Sequence, residues 1–326
     1  MSKLISSFVE FLRLLKMIFL IKDIYWAKKL IANSINAQDV RYERKSGYLF
    51  LKRLSIRIRK GEKIFLCRDW GYRHAVLLVE SLGARFYTNE QDEVFVDIAG
   101  LTANIRSRGE ILRLKEILID GTYNMLFSGS IVVWDIGMNV GLASLYFASK
   151  PDVVVVGYEP FKNTYNHALY NISLNPTFSD RIQTFNMGLS DSTEKVFVEY
   201  NEEINGVLGV YGPRKEHQDG LSFEREEIVL TNARHALDSI ITDYSGRAIV
   251  AKIDCEGSEY QIIKDLAAAG KLCLLDAIMM EWHILKPGHD PTLLTSLLCD
   301  SGFKVFLLAP RGKVGMLYAA RGNHKD

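Results

Sequence analysis

Cysteine is scarce in this chain of 326 residues. The four present, Cys67, Cys255, Cys273 and Cys299, show no C-x-x-C spacing. That counts against a thiolate zinc site and a disulfide framework, and it fits a reducing compartment. An excess of one charge is missing as well: 40 Lys and Arg against 39 Asp and Glu leave a net charge of +1. No nucleic-acid footprint follows from such a balance, and no nucleic-acid partner is expected. The chain also lacks a charge-free apolar run of the ~20 residues that a membrane-spanning helix needs. No small-residue cleavage site of signal type follows the apolar N-terminal segment. The expected location is cytoplasmic. What the sequence does have is apolar mass, 48% of its residues, enough for a sizeable core in one large or two small domains.

The stretch around which the chain is organised runs from Ile131 to Ala148, IVVWDIGMNVGLASLYFA. A short β-rich apolar run, Ile131 to Trp134, suits a strand buried on both faces. Asp135 stands where that strand should end. Gly137, Asn139 and Gly141 alternate with larger residues, and LASLYFA then takes up helical spacing. Strand, glycine-rich turn and helix make the first unit of a doubly wound α/β sheet, which binds ligands outside the carboxyl ends of its strands. The turn reads D-x-G-x-N-x-G, so the middle glycine of the dinucleotide fingerprint is absent. This favours a nucleoside ligand without a pyrophosphate, whose cationic group Asp135 can meet. Close packing of a helix on a strand would also select small residues here.

The second unit supports the ligand reading. Val153 to Tyr158 is another buried strand, followed at once by Glu159. An acid at that point, about 20 residues after the turn, is where a ribose diol is held, since a carboxylate accepts both hydroxyl protons. The plainer reading is an acid at the start of a helix.

VVWDIGMNVG, YEP, FNMGLSD, AKIDCEGSEY and MMEWH, in this order, resemble the motifs of the FkbM family of S-adenosylmethionine-dependent methyltransferases. The similarity covers roughly residues 93 to 320, and its most distinctive piece is the K-I-D-x-E-G-x-E block. Met138 departs from it, standing where a small residue is usual, as does Cys255 in place of a β-branched one. The resemblance implies a Rossmann-like class I methyltransferase fold: a mostly parallel seven-stranded sheet with an antiparallel closing strand. It implies S-adenosylmethionine as cofactor, and it places Tyr123 and the helix before it beside that cofactor. It also sets Asp191, in the Gly188-Leu189-Ser190-Asp191 turn, against the adenine.

Three regions are expected. Residues 1–36 are very apolar yet interrupted by Glu10, Arg13, Lys16, Lys22, Asp23, Lys28 and Lys29. They read as an amphipathic helix or pair whose basic excess suits the inner membrane surface, or else as a helix packed on the core or on a second subunit of a homo-oligomer. Residues 37–105 read as a small accessory α+β region with a hairpin about Ala99-Gly100. Residues 106–326 form the catalytic domain. Within it, Ile182 to Met187 and Ala248 to Ile253 are strands, and Cys273 to Glu281 is the fifth strand. Phe303 to Leu308 and Gly315 to Ala320 close the sheet. The polar segment from Asn201 to Glu227 reads as a lid or acceptor-site wall. His217 and His235 in or near it read as surface residues.

The chemistry falls to strand ends. Ala248 to Ile253 delivers Asp254, Glu256 and Glu259 to the edge that holds Asp135 and Glu159. Alternation along a strand turns Glu281 and His283 the same way, so Asp254, Glu281 and His283 gather on adjacent ends. His283 is then a candidate general base for an acceptor hydroxyl, with Glu281 or Asp254 orienting it. The same three side chains are the candidate ligands if a divalent metal acidifies that hydroxyl instead. The leading expectation is an O-methyltransferase acting on a sugar, glycan, glycolipid or secondary metabolite. The alternatives are a nicotinamide-dependent enzyme of similar topology, which the missing glycine and absent Tyr-x-x-x-Lys pair disfavour, and a non-catalytic, membrane-attached nucleoside-binding module.

Overall fold

A computed structural model describes residues 12–20, 27–28, 30–31, 35–43, 45–59, 66, 70–124, 129–211, 222–308 and 313–322. The chain divides into two compact units, Met1–Thr122 and Tyr123–Asp326.

In the first unit, residues 12–20 are helical. Much of the expected N-terminal amphipathic segment lies outside the described residues. Strands β1 (Val40–Glu43), β2 (Tyr48–Leu51) and β3 (Ile56–Arg59) make an antiparallel sheet. Period-two burial is plain in β3, where Ile56 and Ile58 are buried and Arg57 and Arg59 exposed. A second antiparallel sheet holds β4 (Arg85–Thr88), β5 (Val94–Ile98) and β6 (Leu101–Ile105). Its β5–β6 hairpin turns at Ala99-Gly100, as the sequence predicts. The helix Arg108–Leu118 begins with a reciprocal cap. Ser107 Oγ accepts from the Glu110 amide, and Glu110 Oε2 accepts from the Arg106 amide at 2.7 Å. Sequence reasoning assigns this helix to the catalytic region from residue 106; it falls within the first unit.

The second unit is a three-layer α/β structure. Its sheet contains β7 (Ile131–Ile136), β8 (Val153–Tyr158), β9 (Ile182–Phe185), β13 (Ala248–Ile253), β14 (Ala277–His283), β15 (Phe303–Leu307) and β16 (Val314–Arg321). Their order is β15-β16-β14-β13-β7-β8-β9, parallel throughout except for β16, which runs antiparallel to both its neighbours. This is the expected class I architecture with its antiparallel closing strand. All six residues of β7 are buried, because helices cover both faces of a parallel sheet and no face is left for polar side chains. One face packs Val132, Trp134, Ile136, Ile253, Met280 and Trp282 into a single core.

Two elements differ from expectation. Leu272–Leu274 is a 3-10 turn, and β14 starts at Ala277. The apolar run CLL resembles a strand by composition, but Asp276 sets the entry point: it exchanges hydrogen bonds with the Ile249 backbone through its own amide and its carboxylate, both at 2.8 Å. Gly188–Ser190, expected as a turn, is β10. It pairs in parallel with β12 (Glu224–Asn232), which pairs in turn with β11 (Glu194–Tyr200), forming a separate three-stranded insertion.

Candidate active site

The glycine turn is fixed from beneath. Asp135 is fully buried and accepts from Ser144 Oγ at 2.6 Å. Lys252, in β13 and also buried, brings Nζ to 3.0 Å from Asp135 Oδ1 without hydrogen-bond alignment. Its aligned bond goes to the carbonyl oxygen of Gly137, at 2.5 Å. The sequence reading gave Asp135 to a cationic group of the ligand. The structure gives it to Lys252 instead: a carboxylate with no exposure must be paired within the protein. The turn needs a glycine at 137 on two counts. Its φ is +78°, and a Cβ there would overlap the carbonyl oxygen of Asp254. The turn and the end of β13 are therefore in direct contact. Asn139 sits at φ +52°, a left-handed conformation that asparagine tolerates, and its side chain accepts from the Val140 amide at 2.8 Å. Gly141, also at positive φ, is the N-cap of the helix Leu142–Ala148.

Glu159 closes the other side of the turn. Its Oε2 accepts from the Asn139 amide and its Oε1 from the Phe161 amide, each at 3.0 Å. Burial pushes this carboxyl up to about 7, against the opposing effect of the two amides and the charge of Lys252. Each oxygen retains a second lone pair.

The acids and the histidine converge at the carboxyl ends of β13 and β14. The Asp254 amide donates to the Ile136 carbonyl at 3.0 Å, which ties Asp254 to the end of β7. His283 is 1% exposed. Its Nε2 lies 3.5 Å from Glu256 Oε1 and 3.7 Å from Glu281 Oε1. One ligand atom each from Asp254, Glu256 and His283 lie within 4.8 Å of one another. Burial alone would lower the His283 pKa. The hydrogen bond to Glu259 and the charges of Glu256, Glu259 and Asp254 outweigh it and raise the value to about 9.

Glu259 organises this corner. It is fully buried at the start of the helix Glu259–Ala268. Oε1 accepts from the His283 amide at 2.7 Å and lies 3.3 Å from His283 Nδ1, while Oε2 accepts from the Gly257 amide at 2.8 Å. Sequence reasoning brings Glu256 and Glu259 to this edge but assigns neither to the site, although acids also suit a helix start. Their signal was the K-I-D-x-E-G-x-E block itself, read for its aspartate alone. Lys252 opens that block and was missed with them. Glu256 has φ +48°, uncommon for a residue with a side chain.

Other candidates fall outside this cluster. Tyr123 is buried, with its ring centroid 6.0 Å from that of Phe147 and 5.7 Å from Lys252 Nζ. A cavity of about 500 Å³ beside it reaches toward Pro151 and Asp152, at the amino end of β8, away from the acids. Asp191 is exposed after β10, where its carboxylate accepts from Ser190 Oγ at 3.1 Å. His217 lies outside the described residues, and His235 is exposed. Of the polar segment after β11, Tyr211 reaches the site's surroundings. Its hydroxyl donates to Gln261 Oε1 at 2.8 Å and accepts from Lys286 Nζ at 2.9 Å, and its ring stands edge-on to His289.

Comparison with known proteins bears on these same strand ends. A model of the methyltransferase FkbM domain matches residues 135–305. The AMB antimetabolite synthetase AmbE of Pseudomonas aeruginosa is 33% identical over an alignment of 225 residues that covers 59% of this chain and 10% of that protein. Among solved structures, methyltransferase FkbM from Methylobacillus flagellatus KT has 19% identity and a TM-score of 0.39, covering 63% of this chain and 47% of that one. An O-methyltransferase family protein from Burkholderia thailandensis has 14% identity and a TM-score of 0.37, covering 67% and 59%. The chain thus spans a tenth of the curated relative and about half of the first of these structures.

Proposed function

The chain belongs to the methyltransferase FkbM family, and we propose from this that it transfers the methyl group of S-adenosylmethionine to an oxygen nucleophile. The acceptor class is a hydroxyl of a sugar, glycan, glycolipid or secondary metabolite. The observation that carries the reading is the contact between the Gly137 turn and Asp254. It sets the glycine turn directly beside a cluster of acids and an imidazole. Glu159 suits the cofactor, because each of its carboxylate oxygens keeps acceptor capacity for a ribose diol beside its one backbone amide.

S-adenosylmethionine, when bound, supplies an electrophilic methyl on a cationic sulfur. The remaining work belongs to the chain. Gly137, Asn139, Gly141 and Glu159 hold the nucleoside, with Asp191 toward the adenine and Tyr123 beneath. Asp254, Glu256 and Glu281 surround the acceptor hydroxyl and one of them receives its proton; His283, held protonated up to about pH 9, takes that role only in its neutral form. Tyr211 and Lys286 form one wall of the acceptor site. Holding three reacting atoms in line supplies roughly 7–11 kcal/mol of the barrier.

Calorimetry tests the cofactor. S-adenosylmethionine or its demethylated product should bind, and NAD should bind far more weakly; equal or tighter NAD binding overturns the proposal in favour of a nicotinamide enzyme. Affinity should also rise with pH to about 7 and then level off, because ribose hydroxyls donate to the ionised form of Glu159, whose carboxyl titrates near there. Glu159→Gln should remove that dependence and cost about 1.5–3 kcal/mol of binding.

The N-terminal segment, residues 1–36, is proposed to touch an anionic membrane surface. No helix among the described residues is long and apolar enough to cross one. Leu12, Leu15 and Phe19, however, are exposed on one helical face. The full chain should co-sediment with anionic liposomes, and a chain starting at Gln38 should remain in the supernatant. If both remain in the supernatant, the segment serves the core or a second subunit instead.

A further inference from the structure

We infer that Asp254, Glu256 and His283 form a binding site for one divalent transition-metal ion, with Glu256 in the place that sequence reasoning gave to Glu281. Their ligand atoms already lie within 4.8 Å of one another, so a single ion can bridge them with small side-chain adjustments. Two carboxylates and one imidazole suit manganese or zinc better than calcium or magnesium, which prefer oxygen alone.

A cluster of acids would not carry this by itself; the histidine does. His283 is 1% exposed, so its ring is held away from solvent. Its Nδ1 faces the buried carboxylate of Glu259 at 3.3 Å, and its Nε2 is directed toward Glu256 and Glu281 at 3.5 and 3.7 Å. A metal-bound histidine looks like this: one nitrogen fixed by an outer carboxylate, the other aimed at the metal. The buried ammonium of Lys252 is committed to Asp135 and the Gly137 carbonyl.

The role of the ion rests on the methyl-transfer reading. Held by these three side chains, such an ion would act as a Lewis acid on the acceptor hydroxyl, whose proton would pass to a neighbouring carboxylate such as Glu281. Binding itself is independent of that reading and can be measured without cofactor. Manganese is titrated into the metal-free full-length protein, and the free ion is followed by its electron paramagnetic resonance signal. One equivalent should bind, zinc should displace it, and Glu256→Gln should weaken binding by at least about tenfold. Circular dichroism checks that the variant is folded; should it not be, Asp254→Asn takes its place. Absence of stoichiometric binding of either ion to the wild type overturns the site, as does undiminished binding in the folded variant. Calorimetry with S-adenosylhomocysteine on the same samples separates the two readings. Metal binding without nucleoside binding sinks the methyltransferase proposal alone, and the reverse sinks only the metal site.

Discussion

His283→Ala should lower methyl transfer by roughly 10²–10⁴-fold and leave cofactor affinity nearly unchanged. The expectation follows from where the ring stands. It is among Glu256, Glu259 and Glu281, at the end of β14. Loss of the imidazole removes either the proton acceptor or a ligand of the ion that acidifies the acceptor. A chelator distinguishes these. An ion-dependent enzyme loses turnover and regains it with added manganese; an enzyme that uses the imidazole as base is indifferent. Single-turnover measurements with saturating cofactor provide the rate, and thermal unfolding confirms a folded variant. Near wild-type turnover in a chelator-insensitive enzyme would sink both schemes and move the proton acceptor to another residue. The family match and the fold would stand regardless.

The second large effect concerns stability. Lys252→Met should destabilise the protein by about 3–5 kcal/mol, because it leaves the fully buried Asp135 without its cation. That is a large part of the ~5–15 kcal/mol by which a domain is stable. The Gly137 carbonyl loses its aligned donor in the same step. Adding Asp135→Asn should recover much of the loss, since no buried charge then remains and Ser144 can still donate to the amide oxygen. Urea unfolding of the two single variants and the double variant closes the cycle. Strict additivity would mean that the ammonium and the carboxylate do not act on each other.

How much of this was legible in the sequence depends on the range of the interaction. The parallel strands were legible because burial on both faces leaves a local signature, the unbroken apolar run of IVVW or VVVV. The positions of Asp254, Glu281 and His283 were legible because they end such runs, and alternation then orders them. The partnership of Asp135 with Lys252 was not. It joins two strands distant in sequence, and nothing near either residue specifies a buried ion pair. Glu259 was concealed by a second plausible role at a helix start, and only the arrival of His283 from the next strand shows what its carboxylate holds. Leu272–Leu274 misled for a related reason: apolar composition does not tell a strand from a short turn packed beneath one. The insertion β10-β12-β11 gave no sign of its pairing, because the partner of Gly188–Ser190 comes a whole polar segment later.

Met138, the residue that departs from the usual small one, is explained by β8. It is buried, and a Cβ on Gly157 would strike its sulfur at 2.6 Å. The methionine occupies the space that a side chain at 157 would take, so the two positions share one volume. They form a single heritable character written at two places in the chain. A side chain added at 157 requires the Met138 thioether to move, and a small residue at 138 leaves a void, so change at one position favours change at the other. A larger residue at the second position is expected wherever the first is small, and the sequences of relatives test that pairing.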